Sequence, residues 1–158
     1  MVRPMNKQDI PRLLEILNLE KRMSYRPVLE NDIDVSHDMQ AINLTPTQRP
    51  IPYDIPSIYT YDDGVVKGMI SWKRQGGKVK IRGVYVDPLY QHEHIGTTMM
   101  TGFMNSMMGQ DIKRIVLWVL EENIGAIRFF EQFGFQYTGE REYVKKADCY
   151  LMKYVKMM

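Results

Sequence analysis

The chain has 158 residues, of which 44% are hydrophobic and 25% are charged. At roughly 150 residues per domain, this length predicts a single domain over residues 1–158 that buries a core without disulfides or metals. No apolar run approaches the roughly 20 residues of a membrane helix, and no secretory signal is recognisable at the amino terminus. The one cysteine, Cys149, cannot form an internal disulfide. These features predict a cytoplasmic protein with no membrane partner.

The charge is nearly balanced, with 21 Lys and Arg against 19 Asp and Glu and a formal net charge of +2. Proteins that bind nucleic acid usually carry a larger basic excess, so no nucleic-acid partner is predicted. The basic residues between Lys73 and Arg82 are interpreted as a solvated hairpin face, with an anion-attracting rim as the alternative. Nothing in the sequence decides between a monomer and a homodimer.

The first part of the chain predicts two helices. Ile10, Leu13 and Leu17 recur at helical spacing and form one apolar face. Residues 21–56 contain five prolines and one weaker helical stretch around Val35 to Ile42. We interpret this region as a helix flanked by long loops, an arrangement typical of a segment that covers a functional site.

Three antiparallel strands are predicted next. Residues 58–61 and 65–72 are rich in β-branched and aromatic side chains, and Asp62, Asp63 and Gly64 between them have turn chemistry. A third strand over residues 79–86 follows the Gly76-Gly77 turn. This strand is expected to end at Asp87-Pro88, because proline cannot continue the hydrogen-bonded ladder.

The last part of the chain alternates helices and strands. Residues 95–108 carry a broad, methionine-rich apolar stripe at helical spacing, which indicates a helix packed against the core. Residues 115–120 are predicted to form a buried strand. Asn123 is expected to cap a second helix that Gly134 closes, before strands over residues 135–143 and 149–155. The order of the predicted strands and helices along the chain, which begins with a strand, predicts an α/β fold with a mixed sheet.

Residues 84–98 combine a strand, a tight loop and the start of a helix. The first N–H groups of a helix have no internal partner, and the helix dipole adds positive charge there, so such a loop can bind phosphate or pyrophosphate. Gly96 would allow close approach of a ligand. A purely structural connection has the same local pattern, and these residues alone leave both readings open.

Two motifs resemble those of the GCN5-related N-acetyltransferase (GNAT) superfamily. Residues 91–96, Gln-His-Glu-His-Ile-Gly, resemble its acyl-CoA-binding pattern Gln/Arg-x-x-Gly-x-Gly/Ala, which follows a strand and opens a helix. Residues 123–135 resemble its second pattern, Asn-x-x-Ala-x-x-x-Tyr-x-x-x-Gly-Phe. The resemblance implies a mostly antiparallel central sheet with splayed strands, flanked by helices.

The resemblance also implies a function. It implies acetyl-CoA as the cosubstrate, no metal, and transfer of the acetyl group to an amine by direct attack. The acceptor would be an amine-bearing small molecule or peptide. The alternative is a CoA-binding regulatory or interaction module that has lost catalysis.

Carried over by position, the resemblance assigns three groups of cofactor-binding residues. The strand backbone would pair with the pantetheine amides, the loop would hold the pyrophosphate, and the second helix would contact the pantetheine arm. In that order these residues are Val84, Tyr85 and Val86, then Gln91, His92, Glu93, His94, Ile95, Gly96 and Thr97, then Asn123, Ala126 and Phe130. Asn123 also fits a plain helix cap, and both roles are compatible.

Departures from the family pattern concern catalysis most of all. His94 replaces the first motif glycine, either as an accommodated loop residue or as a phosphate contact. Phe130 stands where many members have the tyrosine that protonates the thiolate, and Trp118 where some have a glutamate base. Tyr143 is the candidate proton donor, with a surface strand tyrosine as the alternative reading.

Overall fold

A computed structural model describes residues 1–23, 28–44 and 57–158, apart from the side chains of residues 43 and 44. The strands are β1 (Val2–Pro4), β2 (Ser57–Asp62), β3 (Val66–Gln75), β4 (Lys78–Val86), β5 (Arg114–Leu120), β6 (Gln136–Val144) and β7 (Cys149–Met157). The helices are α1 (Ile10–Met23), α2 (Glu30–Leu44), α3 (Ile95–Met107) and α4 (Ile124–Gln132). Short 3₁₀ turns occupy Lys7–Asp9, Pro88–Tyr90 and Lys145–Ala147.

The seven strands form one sheet in the order β1-β2-β3-β4-β5-β7-β6. Every neighbouring pair is antiparallel except β4 and β5, which are parallel. Strand β7 lies between β5 and β6, so the last hairpin joins the sheet through its second strand. The predicted α/β fold with a mixed, mostly antiparallel sheet is confirmed.

The parallel pair β4–β5 separates soon after it forms. The two strands pair only over residues 78–80 and 114–116. Further along, β4 stays paired with β3 up to Val86, while β5 stays paired with β7 up to Leu120. A β-bulge at Arg82 adds to the divergence, since Gly83 pairs with Ser71 and Ile81 with Trp72. The splayed strands implied by the resemblance are present.

Helices cover both faces of the sheet and create two cores. On one face α3 buries its methionine-rich stripe, including Met99, Met100 and Phe103, which confirms the packing interpretation of that stripe. On the other face, α1 and α2 bury Leu13 and Val35 against β2, β3 and β4. None of the helices in the described ranges is both long and apolar enough to cross a membrane.

The covering segment differs from its prediction. Helix α2 starts at Glu30, several residues before Val35, and α1 continues to Met23. The earlier start has a local cause, because the Asp32 carboxylate accepts a hydrogen bond from the Leu29 N–H at 2.9 Å and so caps the first turn. The long loops predicted on either side fall largely on residues 24–27 and 45–56, which lie outside the described residues.

The basic hairpin residues do not share one solvated face. Arg74 is exposed on β3, whereas the side chain of Arg82 is only 9% exposed. Its guanidinium pairs with Asp38 at 2.8 Å and with Asp34 at 3.5 Å. The prediction of a solvated face is therefore wrong for Arg82, because the bulge directs that side chain to α2.

Candidate active site

The divergence of β4 and β5 opens a cleft of about 710 Å³. Residues 81–86 of β4 and 117–120 of β5 form its sides, and the first turns of α3 and α4 border it. The start of α2, with Leu29 and Asp32, and Glu20 of α1 also line it. The cleft therefore lies where all four helices approach the splayed part of the sheet.

The amino terminus of α3 faces this cleft. His94 precedes the helix in the left-handed region, with φ 58° and ψ 26°. The Thr98 N–H binds the His94 carbonyl at 3.1 Å, so the N–H groups of residues 95–97 lie before the helical hydrogen-bond ladder begins. Gly96 and Thr97 line the cleft at this point. Three such donors and the positive helix dipole make this turn suited to an anion.

Buried ionic contacts fix the loop that leads into α3. The Asp87 side chain is almost fully buried and accepts a hydrogen bond from the Leu89 N–H at 2.9 Å. The same carboxylate pairs with Arg12 of α1. A loop held from both sides keeps the first-turn N–H groups of α3 in a constant direction, which favours binding without reorganisation.

Asn123 caps α4, as predicted. Its Oδ1 accepts a hydrogen bond from the Ala126 N–H at 3.1 Å. The amide Nδ2 supplies two further donors, and both Asn123 and Ala126 line the cleft. The cap role is confirmed, while the predicted contact with the pantetheine arm stays a prediction that is compatible with the cap.

The structure brings most of the predicted cofactor-binding residues to the cleft. Those that line it are Val84, Tyr85, Val86, Gln91, His92, His94, Gly96, Thr97, Asn123, Ala126 and Phe130. Two loop residues point elsewhere. The Glu93 carboxylate accepts a hydrogen bond from the Lys67 ammonium at 3.3 Å, and the Ile95 side chain is buried in the core beneath α3.

Tyr143 lies on the sheet face opposite Trp118. Tyr143 pairs with Tyr150 of β7, and side-chain alternation along β7 places Tyr150 on the same face as Tyr154, which is buried in the core beneath α3. Trp118 pairs instead with Lys153, on the other face. The Tyr143 hydroxyl donates to Asp148 at 2.5 Å, and this bond raises the pKa of Tyr143. The residues that line the cleft do not include Tyr143.

A buried pair that the motifs did not indicate lies against the cleft. The Tyr85 hydroxyl donates to Asp32 Oδ1 at 2.8 Å, and both residues are almost fully buried and belong to the lining of the cleft. The two residues are 53 positions apart, so no motif spacing connects them. The bond from the Leu29 N–H shows that Asp32 caps α2, but only the packing of α2 on β4 brings Asp32 to Tyr85.

Residues 13–135 match the acetyltransferase (GNAT) family, and the chain belongs to this family. The fold is also similar to that of solved structures. The chain has a TM-score of 0.76 with the ribosomal-protein-alanine N-acetyltransferase of Brucella melitensis, at 17% identity and covering 100% of this chain and 99% of that one.

The chain is also similar to two other acetyltransferases. The PaiA N-acetyltransferase of Thermoplasma acidophilum in complex with coenzyme A gives a TM-score of 0.69 at 18% identity, over 100% of this chain and 98% of that chain. The spermine/spermidine N(1)-acetyltransferase of Bacillus subtilis (strain 168) is 33% identical over 70 residues. That match covers 44% of this chain and 46% of the relative, less than half the length of either.

We expect Tyr143→Phe to leave kcat within about twofold of the wild type and the affinity for acetyl-CoA unchanged. The reason is that the hydroxyl is engaged by Asp148 and lies outside the cleft lining. Steady-state kinetics with a cofactor titration measure both quantities. A ten- to hundredfold loss of kcat alone, roughly what a general acid supplies at the low end of its range, would restore Tyr143 as the proton donor.

His94→Gly is expected to stabilise the fold by up to about 1 kcal/mol, because an L-residue in the left-handed region costs about 1–2 kcal/mol and the extra backbone freedom of glycine offsets part of that gain. CoA affinity should be equal or better. Urea unfolding and calorimetry measure the two effects, and His94→Ala, which keeps the backbone cost, should be no more stable than the wild type. A tenfold loss of affinity in His94→Gly, about 1.4 kcal/mol, would identify the imidazole as a phosphate contact.

Proposed function

We propose that this chain is an N-acetyltransferase that moves the acetyl group of acetyl-CoA to an amine by direct attack. One observation carries the proposal. β4 and β5 separate beside the amino terminus of α3, which leaves the backbone edge of residues 84–86 facing a cleft. An open strand edge can pair with the amides of a pantetheine arm, and the adjacent helix terminus can bind the pyrophosphate.

The residues present fit the cofactor. The backbone of residues 84–86 would hold the pantetheine arm, the N–H groups at Gly96 and Thr97 the pyrophosphate, and the Asn123 amide a pantetheine carbonyl. Ala126 has a small side chain at the cleft and leaves room there. Bound acetyl-CoA would supply the acetyl group as a reactive thioester, positioned by these contacts beside the acceptor.

The part of the cleft formed by α1 and α2 carries acidic residues, which favours a positively charged amine as the acceptor substrate. Glu20 and Asp32 line the cleft on the side of α1 and α2. Carboxylates that line a cleft attract cations and raise their local concentration. A relative matched over part of its length is named a spermine/spermidine N(1)-acetyltransferase. Polyamines are therefore the first acceptor class to test, ahead of peptide amino termini and lysine side chains.

The usual tyrosine acid of the family is absent. Phe130 packs its ring against Phe129 and Phe135, with ring centroids 5.2 and 5.9 Å apart, and has no proton to donate. A thiol with a pKa of about 8.5 is a fairly good leaving group, so water suffices to protonate the thiolate. The same absence favours the alternative function, a CoA-binding module without catalysis, and turnover decides between the two.

Acetyl-CoA is expected to bind with an affinity in the micromolar range and to raise the Tm, because a ligand that binds only the folded state stabilises it. Calorimetry and thermal unfolding measure the two effects, and CoA serves as the comparison ligand. Absence of heat and of a thermal shift at millimolar ligand would overturn the proposal. Binding without CoA release across a panel of polyamines, peptides and amino acids would instead support the non-catalytic module.

A further inference from the structure

We infer that Tyr85 and Asp32 form a proton relay that deprotonates the acceptor amine. The inference rests on the proposed acetyl transfer and assigns the base that this reaction needs. The amine must lose a proton before its nitrogen can attack, and Trp118 stands where some family members have a glutamate base. The carboxylate would then come from α2 rather than from β5.

The pair has the geometry of a fixed proton path. The Tyr85 hydroxyl donates to Asp32 Oδ1 at 2.8 Å, while Asp32 Oδ2 accepts from the Leu29 N–H at 2.9 Å. Tyr85 and Asp32 are 2% and 3% exposed, respectively, and both line the cleft. Burial removes competing water from the hydrogen bond between the phenol and the carboxylate.

Gly83 determines where the Tyr85 phenol lies. A β-carbon on Gly83 would overlap the phenol end of the Tyr85 ring, so the ring lies directly over the backbone of β4. The bulge at Arg82 immediately precedes this position, where β4 and β5 diverge. The hydroxyl is thus held beside the strand segment proposed to bind the pantetheine arm.

The relay lies on the sheet face covered by α1 and α2, from which the acceptor amine is proposed to approach. Tyr85 belongs to the core shared with α1 and α2, whereas Phe130 packs against the core beneath α3. The terminus of α3 proposed for the pyrophosphate is on that second face. A group on the α1–α2 face is therefore suited to take a proton from the incoming amine rather than to protonate the departing thiolate.

The proton balance closes without another reactant besides water. The ammonium form of the acceptor gives one proton to the Tyr85 oxygen as Tyr85 passes its own proton to Asp32, which becomes a carboxylic acid. The nitrogen lone pair then forms the C–N bond while the C–S bond breaks and its electron pair leaves on sulfur. The second N–H proton goes to sulfur or water, and Asp32 returns its proton to water through Tyr85.

Tyr85→Phe tests the relay, because it keeps the ring and removes the hydroxyl. We expect kcat at pH 7 to fall by about a hundredfold, the low end of the contribution of general base catalysis. Calorimetry should give affinities for acetyl-CoA and, with CoA bound, for the amine within about threefold of the wild type, because the backbone contacts remain. Tyr154→Phe, which removes a buried hydroxyl on β7 outside the cleft lining, should leave kcat unchanged.

The pH profile separates a relay from a structural contact. Without the relay, the rate depends on amine already neutral in solution, a fraction that rises about tenfold per pH unit toward an amine pKa of about 10. The deficit of Tyr85→Phe should therefore shrink from about a hundredfold at pH 7 to less than about tenfold at pH 9. A purely structural contact predicts the same fold deficit at both pH values.

Asp32→Asn provides a second test, since asparagine can still cap α2 through its side-chain oxygen but cannot take up the proton. We expect the same rate loss and the same recovery at high pH. Wild-type kcat, or a pH-independent deficit, in Tyr85→Phe would overturn the relay even if the wild type acetylates amines. A wild type that acetylates no amine at all would overturn the proposed function first.

Discussion

Gly96→Asp is expected to weaken acetyl-CoA binding by about a hundredfold without destabilising the fold. Gly96 lies in the first turn of α3 at the cleft, where its N–H is proposed to meet the pyrophosphate. Like charges about 4–5 Å apart repel by about 1–3 kcal/mol at the effective dielectric of a partly exposed site. A carboxylate at a helix amino terminus is favourable for the helix itself, by about 0.3–1 kcal/mol.

Gly96→Asn is the matched control, because it adds the same bulk without the charge. A β-carbon at Gly96 would lie 3.5 Å from Phe129 Cζ, an ordinary packing distance, so the fold should accept both side chains. The difference between the two variants should shrink as salt is added, since salt screens exposed charges. Equal affinities for Asp and Asn by calorimetry would place the pyrophosphate away from Gly96.

Gly83→Ala is expected to destabilise the protein by about 3 kcal/mol. The new methyl group would overlap the Tyr85 ring, and overpacking a well-packed core typically costs about 1–3 kcal/mol. Moving the ring also strains or breaks the buried hydrogen bond to Asp32, which costs about a further 1–3 kcal/mol when a partner is left unsatisfied. The free energy of unfolding in urea measures the sum.

Two comparisons test whether the Tyr85 ring causes that loss. In a Tyr85→Leu background the ring is gone, and Gly83→Ala should then cost less than about 1 kcal/mol. Gly125→Ala, on the first turn of α4, meets only Asn123 Oδ1 at 4.0 Å and should leave stability unchanged or slightly raised. If Gly83→Ala costs the same with and without the ring, the close approach of Tyr85 to β4 is wrong.

Helix caps, turns and apolar stripes can be predicted from the sequence because their causes are local. The cap at Asn123 and the positive φ of 91° at Gly134 depend on hydrogen bonds and backbone geometry within a few residues. The α3 stripe follows from the helical period of its apolar residues. The start of α2 was missed because apolar periodicity begins at Val35, while the Asp32 cap that fixes the start is polar.

The same distinction between local and distant causes applies to the candidate site. The loop before α3 and the start of α4 are contiguous motifs, and most of their residues do line the cleft. The prediction of Tyr143 rests on its position near the end of a strand, whereas the contacts of its hydroxyl, such as the bond to Asp148, depend on the tertiary structure. The turn of the last hairpin sets the β6–β7 register locally, but the face that the hairpin turns to the cleft depends on the pairing of β7 with β5, which lies far away in the chain.

The sequence by itself determined the family, the strand–loop–helix order around residues 84–98 and the phenylalanine at position 130 where many family members have a tyrosine. Only the tertiary structure decided that β7 enters between β5 and β6, that β4 and β5 diverge, and that Asp32 meets Tyr85. The physical reason is the range of the interactions. Caps, turns and periodicity act within one or two helical turns, whereas strand order and the approach of α2 to β4 depend on burying apolar faces far apart in the chain.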